Sequence, residues 1–274
     1  MTKTPSLLSR RLTLLLAVVF SCQVVIADNQ RSADDLARDR HSKPSAVANF
    51  VAVEPGWRVL DLFAGDGYYS EVFARAVGAN GEVVLHNSHA TKVSLSRLQH
   101  RLGRISYKTG KSPLWPNIRV VEADLADLTL AANQFDLVLL AKVYHDAYYQ
   151  ANGWQLQAEP LFNLIHRLLK PQGILAVIDH HAAPESGASH AQTLHRIEDQ
   201  FAIQDISQRG FTLLAQSDLL FNAHDDLQRS VFHPSVRGRT SRFLLTFRKK
   251  ATKKKGALGP PSVRPLATLP TLGK

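Results

Sequence analysis

Two histidine-bearing segments carry most of the chemistry open to this sequence. Tyr144-His145-Asp146 and Asp179-His180-His181 each follow a run apolar enough to be a buried strand. A neutral imidazole placed there can take a proton from an oxygen or nitrogen as a new bond forms to that atom. His145 and His181 are the candidate bases, with Tyr144 beside them. A third segment, Asp61-Leu62-Phe63-Ala64-Gly65-Asp66-Gly67, sets an acid and two glycines where a strand gives way to a helix. Glycine is needed where backbone must approach a ligand closely. Metal binding is the other option for the histidines, since His180, His181, Glu185, His190 and His195 lie close together. Their spacing matches no familiar ligand set, and His190 and His195 fall on diverging faces of a helix, so no metal site is assigned. Tyr68, Tyr69, Tyr148 and Tyr149 could cage a cation or an aromatic ring, although Tyr69 fits a buried helical register.

The elements that must position these residues alternate between strand-like runs and helical patterns. That alternation specifies an α/β sandwich with a mostly parallel sheet. Trp57–Leu62 is a first strand, and Tyr69, Val72, Phe73, Ala76 and Val77 follow with helical spacing until Gly78. Glu82–Leu85, Ile118–Val121, Phe135–Leu140 and Ile174–Ile178 are four more strands. Helices are expected over Val93–Leu102, around Leu161–Leu169 with a stop at Lys170-Pro171-Gln172-Gly173, and over Ala188–Arg209 as one long element. Phe211–Leu214 and Arg242–Phe247 have no helix between them and should pair as an antiparallel hairpin joined by a long excursion. That excursion, Asn222 to Thr240, carries Asp225, Asp226, Arg237 and Arg239 and is expected to close over the pocket.

The formal charge of +10 over 274 residues suggests a nucleic-acid partner only until it is located. Ten of the 33 lysines and arginines lie in residues 1–27 and 249–274, which contain no acid, and the other 23 balance the 23 acids. A neutral body has no built-in attraction for a phosphate backbone, so no nucleic-acid partner is expected. Residues 1–27 read as an export signal: a basic start, the apolar run Leu12–Phe20, and small residues before a cut after Ala27. The expectation is an exported, periplasmic body of residues 28–248 without thiols, since the single cysteine, Cys22, leaves with the signal. Two alternatives stand beside it. Val19-Phe20-Ser21-Cys22 loosely resembles a lipoprotein cleavage box, and an uncut segment would act as an anchor. Residues 249–274, basic and rich in proline, are expected to form a disordered tail, with weak contact to an anionic membrane surface as the alternative. Nothing in the sequence bears on oligomeric state.

Five β-α units closed by an antiparallel pair resemble the plan of the class I methyltransferases that use S-adenosylmethionine. Val59 to Gly67 is similar to that family's first motif, while Phe135-Asp136-Leu137-Val138 and Leu169-Lys170-Pro171-Gln172-Gly173 resemble its fourth- and fifth-strand signatures. The resemblance implies a Rossmann-like seven-stranded sandwich and S-adenosylmethionine as cofactor. It implies that Asp61, Gly65, Asp66 and Gly67 line the amino-acid part of the cofactor, and that Asp124 and Leu125 meet the adenine. The family's second strand ordinarily ends in an acid holding both ribose hydroxyls. Here the strand reads Val83-Val84-Leu85-His86-Asn87, so that role is carried over to Asn87. AKVYHDAYY (141–149), VIDHHAAP (177–184), SDLLFN (217–222) and VFHPSVRGRTSRFLLTF (231–247) resemble an exported, uncharacterised subgroup of predicted methyltransferases. The implied reaction is methyl transfer to a small molecule or an envelope component. Two other classes stay open: a non-catalytic binding protein that keeps the fold, for which the missing acid speaks, and a dinucleotide-dependent oxidoreductase, against which Ser70 stands in place of the third glycine of G-x-G-x-x-G.

Overall fold

A strand buried on both faces needs apolar residues at successive positions, and Phe135–Ala141 supplies them at the centre of the sheet. The computed structural model describes residues 31–105, 109–151, 153–154 and 156–251. The strands are β1 (Arg58–Leu62), β2 (Glu82–Asn87), β3 (Ile118–Glu122), β4 (Phe135–Ala141), β5 (Leu169–His180), β6 (Phe211–Ser217) and β7 (Arg242–Lys249). They form one seven-stranded sheet in the order β3-β2-β1-β4-β5-β7-β6. The first five run parallel, and β7 lies antiparallel to both β5 and β6. This is the expected Rossmann-like α/β sandwich with a closing hairpin.

Successive residues of the central strands feed two cores. Leu60, Val138, Leu140 and Val177 pack with α5 (Ala158–Leu168) and α7 (Asp199–Gln208) on one face. Val59, Val83, Leu137 and Ile178 pack with α2 (Pro44–Val51) and α3 (Tyr68–Val77) on the other. α4 (Leu95–Leu102) lies on that second face as well.

Three expectations need correction. The long helix over Ala188–Arg209 is two: α6 (Ala191–Leu194) and α7. Between them His195 turns into the left-handed region (φ 54°), and Ile197 exchanges backbone hydrogen bonds with the end of β5, accepting from Ala182 and donating to His180. Arg196, wholly buried, makes a bidentate ion pair with Asp225 at 2.9 Å. These tertiary bonds outweigh the helical propensity of the segment. The stop after α5 is not a turn but a bulge inside β5, where the pairing with β4 shifts between Phe135 and Leu137. Lys249, assigned above to the tail, completes β7 and donates to the Leu169 carbonyl at 2.7 Å, while the Lys250 N–H bonds Gly210. The proposed export signal with Cys22, and residues 252–274 of the tail, lie outside the described residues.

Two helices were not read from the sequence, α1 (Ala33–Ser42) and α2. α1 has no apolar stripe and is held by charge. Asp35 chelates Arg101 at 2.6 and 2.7 Å, and Asp39 takes two bonds from Arg31 at 2.8 and 2.9 Å. The Arg38 guanidinium lies 3.6 Å above the Tyr68 ring. The same network reaches Glu71 of α3, so α1 lies against the start of α3, next to the glycine turn.

Candidate functional site

In an open parallel sheet, ligands bind beyond the carboxyl ends of the strands where the strand order reverses. Here that point lies between β1 and β4. β1 ends in a left-handed Phe63 (φ 57°), and Gly65 (φ +62°) and Gly67 (φ +78°) carry the chain into α3. A Cβ on Gly67 would come within 2.7 Å of Leu85, so this glycine serves helix–sheet packing. A Cβ on Gly65 would meet nothing within 4 Å among the described residues, so the turn is open on that side. Asn87, at the end of β2, grips Gly65 from both directions. Its Oδ1 accepts from the Gly65 N–H at 2.8 Å and its Nδ2 donates to the Gly65 carbonyl at 2.9 Å. These two bonds tie the Asn87 amide to the glycine turn, and each leaves it a second hydrogen or lone pair for the ribose role carried over to it.

Asp61 is buried under the turn and accepts from Ser70 Oγ at 2.7 Å. Burial pushes its carboxyl up to about 7, against the hydrogen bonds from Ser70. Asp66 contributes its carbonyl to Arg101, and its carboxylate stands 3.3–3.8 Å from Arg97, Arg101 and Arg38. Asp124, beyond β3, is exposed and accepts from the His89 N–H at 3.2 Å, while Leu125 packs partly into the core. His86, fully buried, joins β2 to β3 through the Ala123 carbonyl (2.9 Å) and meets the Phe63 ring edge-on. Burial depresses its pKa, so it stays neutral.

The histidine segments separate. His145 lies in a 3₁₀ turn, Tyr144–Tyr148, directly after β4. Its backbone N–H and its Nδ1 both bond the Asp179 carboxylate of β5 at 2.8 Å. Its Nε2 lies 3.2 Å from Asp146 and 3.3 Å from His195 Nδ1. Burial opposes charge on this ring, but Asp179 and Asp146 overcome it and push the imidazole up to about 10. A ring already protonated at neutral pH takes no further proton, so His145 in this setting is not the neutral base expected above. Tyr144 is corrected more sharply. It is fully buried, packs against Tyr148 and Phe162, and donates to Asp205 of α7 at 2.9 Å. His181 is engaged by Ser241, at 3.1 Å, and by the rings of Phe221 and Phe243.

His195 reaches His145 from fifty residues downstream, and its ring meets Tyr149 at 4.6 Å and Phe232 at 4.8 Å. Phe232 belongs to the β6–β7 excursion, which touches the site through this ring. Asp225 of that excursion is spent on Arg196. Trp154 links the two halves of the site, touching Phe63 at 5.7 Å and donating to the Asp146 carbonyl at 3.1 Å. Beside it lies a hollow of about 270 Å³ lined by Tyr148, Tyr149 and Trp154. Sequence reasoning missed the meeting of Asp146 and His195 and the left-handed Lys142 (φ 64°) after β4. A positively φ-strained residue leaves no mark in a sequence unless it is glycine.

Comparison with known proteins agrees with this geometry. A family model described as a methyltransferase domain matches residues 53–218. The ubiquinone/menaquinone biosynthesis C-methyltransferase UbiE of Blochmanniella pennsylvanica is 28% identical over 156 residues, covering 57% of this chain and 52% of that protein. The chain spans about half the length of the curated relatives it matches. A SAM-dependent methyltransferase from Aquifex aeolicus superimposes with a TM-score of 0.54 at 16% identity, over 79% of this chain and 94% of the other. The [4+2]-cyclase SpnF shares the fold with a TM-score of 0.53 at 18% identity, over 82% and 86%.

Proposed function

From a chain that belongs to the class I S-adenosylmethionine-dependent methyltransferases, we propose an enzyme that transfers the cofactor's methyl group to a small acceptor seated beside the 3₁₀ turn. The observation carrying this reading is the left-handed Gly65, open on its Cβ side, in the turn that follows β1 at the switch point between β1 and β4. The residues fit the cofactor. The Gly65–Gly67 turn would take its amino-acid part, with Asp61 and Asp66 nearby, and Asp124 and Leu125 would meet the adenine. When bound, the sulfonium supplies a methyl group that needs only an aligned lone pair to accept it. This chain's contribution is alignment and exclusion of water: Phe63 and Trp154 wall the cofactor side, and Tyr148, Tyr149 and Phe232 wall the acceptor side. Holding two reactants in line is worth effective molarities of about 10⁵–10⁸ M.

Relatives named for C-methylation and a fold neighbour named as a cyclase leave the acceptor open. We place it among small molecules, including components of the cell envelope if residues 1–27 export the chain. Mass spectrometry of the mature N-terminus tests export, with Asp28 as the first residue expected and an intact Met1 in the cytosol overturning it. The non-catalytic alternative draws on the missing acid at Asn87. Calorimetry with S-adenosylhomocysteine, followed by labelled methyl transfer into cell extract, separates the two. The Gly65→Val variant should lose homocysteine-adduct binding while its far-ultraviolet spectrum stays unchanged. Equal affinity in that variant would refute the assignment of the glycine turn.

A further inference from the structure

We propose that His145 Nε2, His195 Nδ1 and an Asp146 carboxylate oxygen form a site for a divalent metal ion of the zinc or manganese kind. Among the described residues these are the His, Asp and Glu atoms that converge as a ligand set. The three atoms stand 3.2 Å (His145–Asp146), 3.3 Å (His145–His195) and 3.7 Å (His195–Asp146) apart. A tetrahedral ion with bonds of about 2.0–2.1 Å spaces its ligands roughly 3.3–3.4 Å apart. The triangle therefore has the size of one face of such a site, without any movement of the backbone.

The supporting atoms also fit. Metal-bound histidines almost always give their other ring N–H to a carboxylate or carbonyl. Asp179, wholly buried, lies 2.8 Å from His145 Nδ1, so once the Nε2 proton is displaced the Nδ1–H would stay with Asp179 and the Nε2 lone pair would face the triangle. The His145 N–H and the His180 N–H fix that carboxylate in turn. His195 is brought in by a left-handed backbone at the end of α6, a conformation that persists only where its surroundings impose it. Tyr149 and Phe232 hold its ring. Without an ion, the imidazole proton on His145 Nε2 lies between these groups, and a bound ion would take its place.

Two nitrogens and one carboxylate oxygen suit Zn²⁺, Mn²⁺ or Fe²⁺ better than the all-oxygen shells of Ca²⁺ or Mg²⁺. Three protein ligands leave a fourth position open. Tyr149, whose ring is tilted against His195 at 4.6 Å, also lines the hollow beside Trp154, so an ion in the triangle would lie close to the space assigned above to the acceptor. In this respect the inference rests on the methyl-transfer reading: the ion would hold an acceptor through an oxygen atom, and water otherwise. Metal binding itself does not depend on that reading.

The test uses the full chain, produced without a histidine tag, stripped with a chelator and titrated with Zn²⁺ and with Mn²⁺ by calorimetry. One ion per chain is expected. Co²⁺ loaded in the same way should show the intense visible absorption of a four-coordinate site. His195→Ala and Asp146→Asn should lose the stoichiometric event, and Asp179→Asn, acting through His145, should weaken it about 10–100-fold. His224→Ala, at an exposed residue outside the ligand set, should bind as the parent does. Thermal unfolding of each metal-free variant establishes that it folds; if His195→Ala does not, Asp146→Asn decides. Absence of saturable binding, or stoichiometric binding that survives in the ligand variants, would overturn the site and show that shared protons hold the triangle. Homocysteine-adduct binding, measured on the same stripped chain, reports separately on the methyl-transfer reading.

Discussion

Gly65 and Asn87 bond each other in both directions, N–H to amide oxygen at 2.8 Å and amide N–H to carbonyl at 2.9 Å. Only a side chain that both donates and accepts can do this. A carboxylate in its place would accept from the Gly65 N–H but set a second oxygen against the Gly65 carbonyl. The amide that stands in place of an acid at the end of β2 thus braces this glycine turn. Asn87→Asp, which restores the family's usual acid, should weaken S-adenosylhomocysteine binding about tenfold, the equivalent of one lost hydrogen bond. Calorimetry checks it, and tighter binding in the variant would mean that the amide is not what holds the turn.

The excursion between β6 and β7 hangs on one buried ion pair. Arg196 and Asp225 are both fully enclosed, Asp225 also accepts from the Ser241 N–H at 2.7 Å, and Arg196 donates to the carbonyls of His181 and Arg229. Removing one charge strands the other away from water. Asp225→Ala should cost about 3–5 kcal/mol in denaturant unfolding. The pair Arg196→Met with Asp225→Leu should recover only part of this, because the two carbonyls lose their donor. A loss below about 1 kcal/mol for Asp225→Ala would show that water reaches Arg196 after all.

These elements also mark where sequence reasoning held and where it stopped. β4 was legible because burial on both faces writes itself as a nearly continuous apolar run, and β6 because two short apolar runs with no helical pattern between them call for a hairpin. α3 was legible through its spacing and its two bounding glycines. α1 was not, since Ala33–Ser42 is polar and binds through Arg31, Arg38 and Arg101. The signals present were the cap at Ser32, which accepts from the Asp35 N–H at 3.1 Å, and Pro44 opening α2. The site divided in the same way. Gly65 lies on a local motif, whereas His145 and His195 meet through β4, β5 and a broken helix, a contact that spacing along the chain cannot express. Tyr144 was misplaced because the 3₁₀ turn after β4 buries its ring against Tyr148 and Phe162 and ties its hydroxyl to Asp205.

Tyr144 and His181 should therefore respond as structural residues. Tyr144→Phe removes one hydrogen bond, to Asp205, and should cost about 1 kcal/mol while leaving methyl transfer intact. His181→Ala gives up Ser241, Phe221 and Phe243 and should cost about 1–3 kcal/mol, again with turnover retained. His145→Ala should keep homocysteine-adduct binding and lose turnover. Thermal unfolding beside transfer of labelled methyl groups into cell extract separates the three. Turnover lost in Tyr144→Phe at unchanged stability would return that phenol to the reaction.

The last expectation concerns pH and follows from Asp61 and Lys142, two titratable groups at the switch point with opposite shifts. Burial raises the Asp61 carboxyl from 3.8 to about 7, and burial together with Arg38 and Arg242 lowers Lys142 from 10.5 to about 7. Between about pH 4 and 7 the folded chain keeps a proton on Asp61 that the unfolded chain has released, so this group makes stability fall as pH rises. Between about pH 7 and 10 the unfolded chain holds a proton on Lys142 that the folded chain has lost, so this group makes stability rise with pH. Each can tilt the stability curve by at most about 1.4 kcal/mol per pH unit. Asp61→Asn, which still accepts from Ser70, should remove the acid limb of that dependence. Lys142→Met, which keeps the stem and drops the charge, should remove the alkaline limb. Urea unfolding of the parent and both variants at about pH 5, 7 and 9 reads the two limbs independently. Identical curves for parent and variants would show that both groups are solvated well enough to titrate as they do in the unfolded chain.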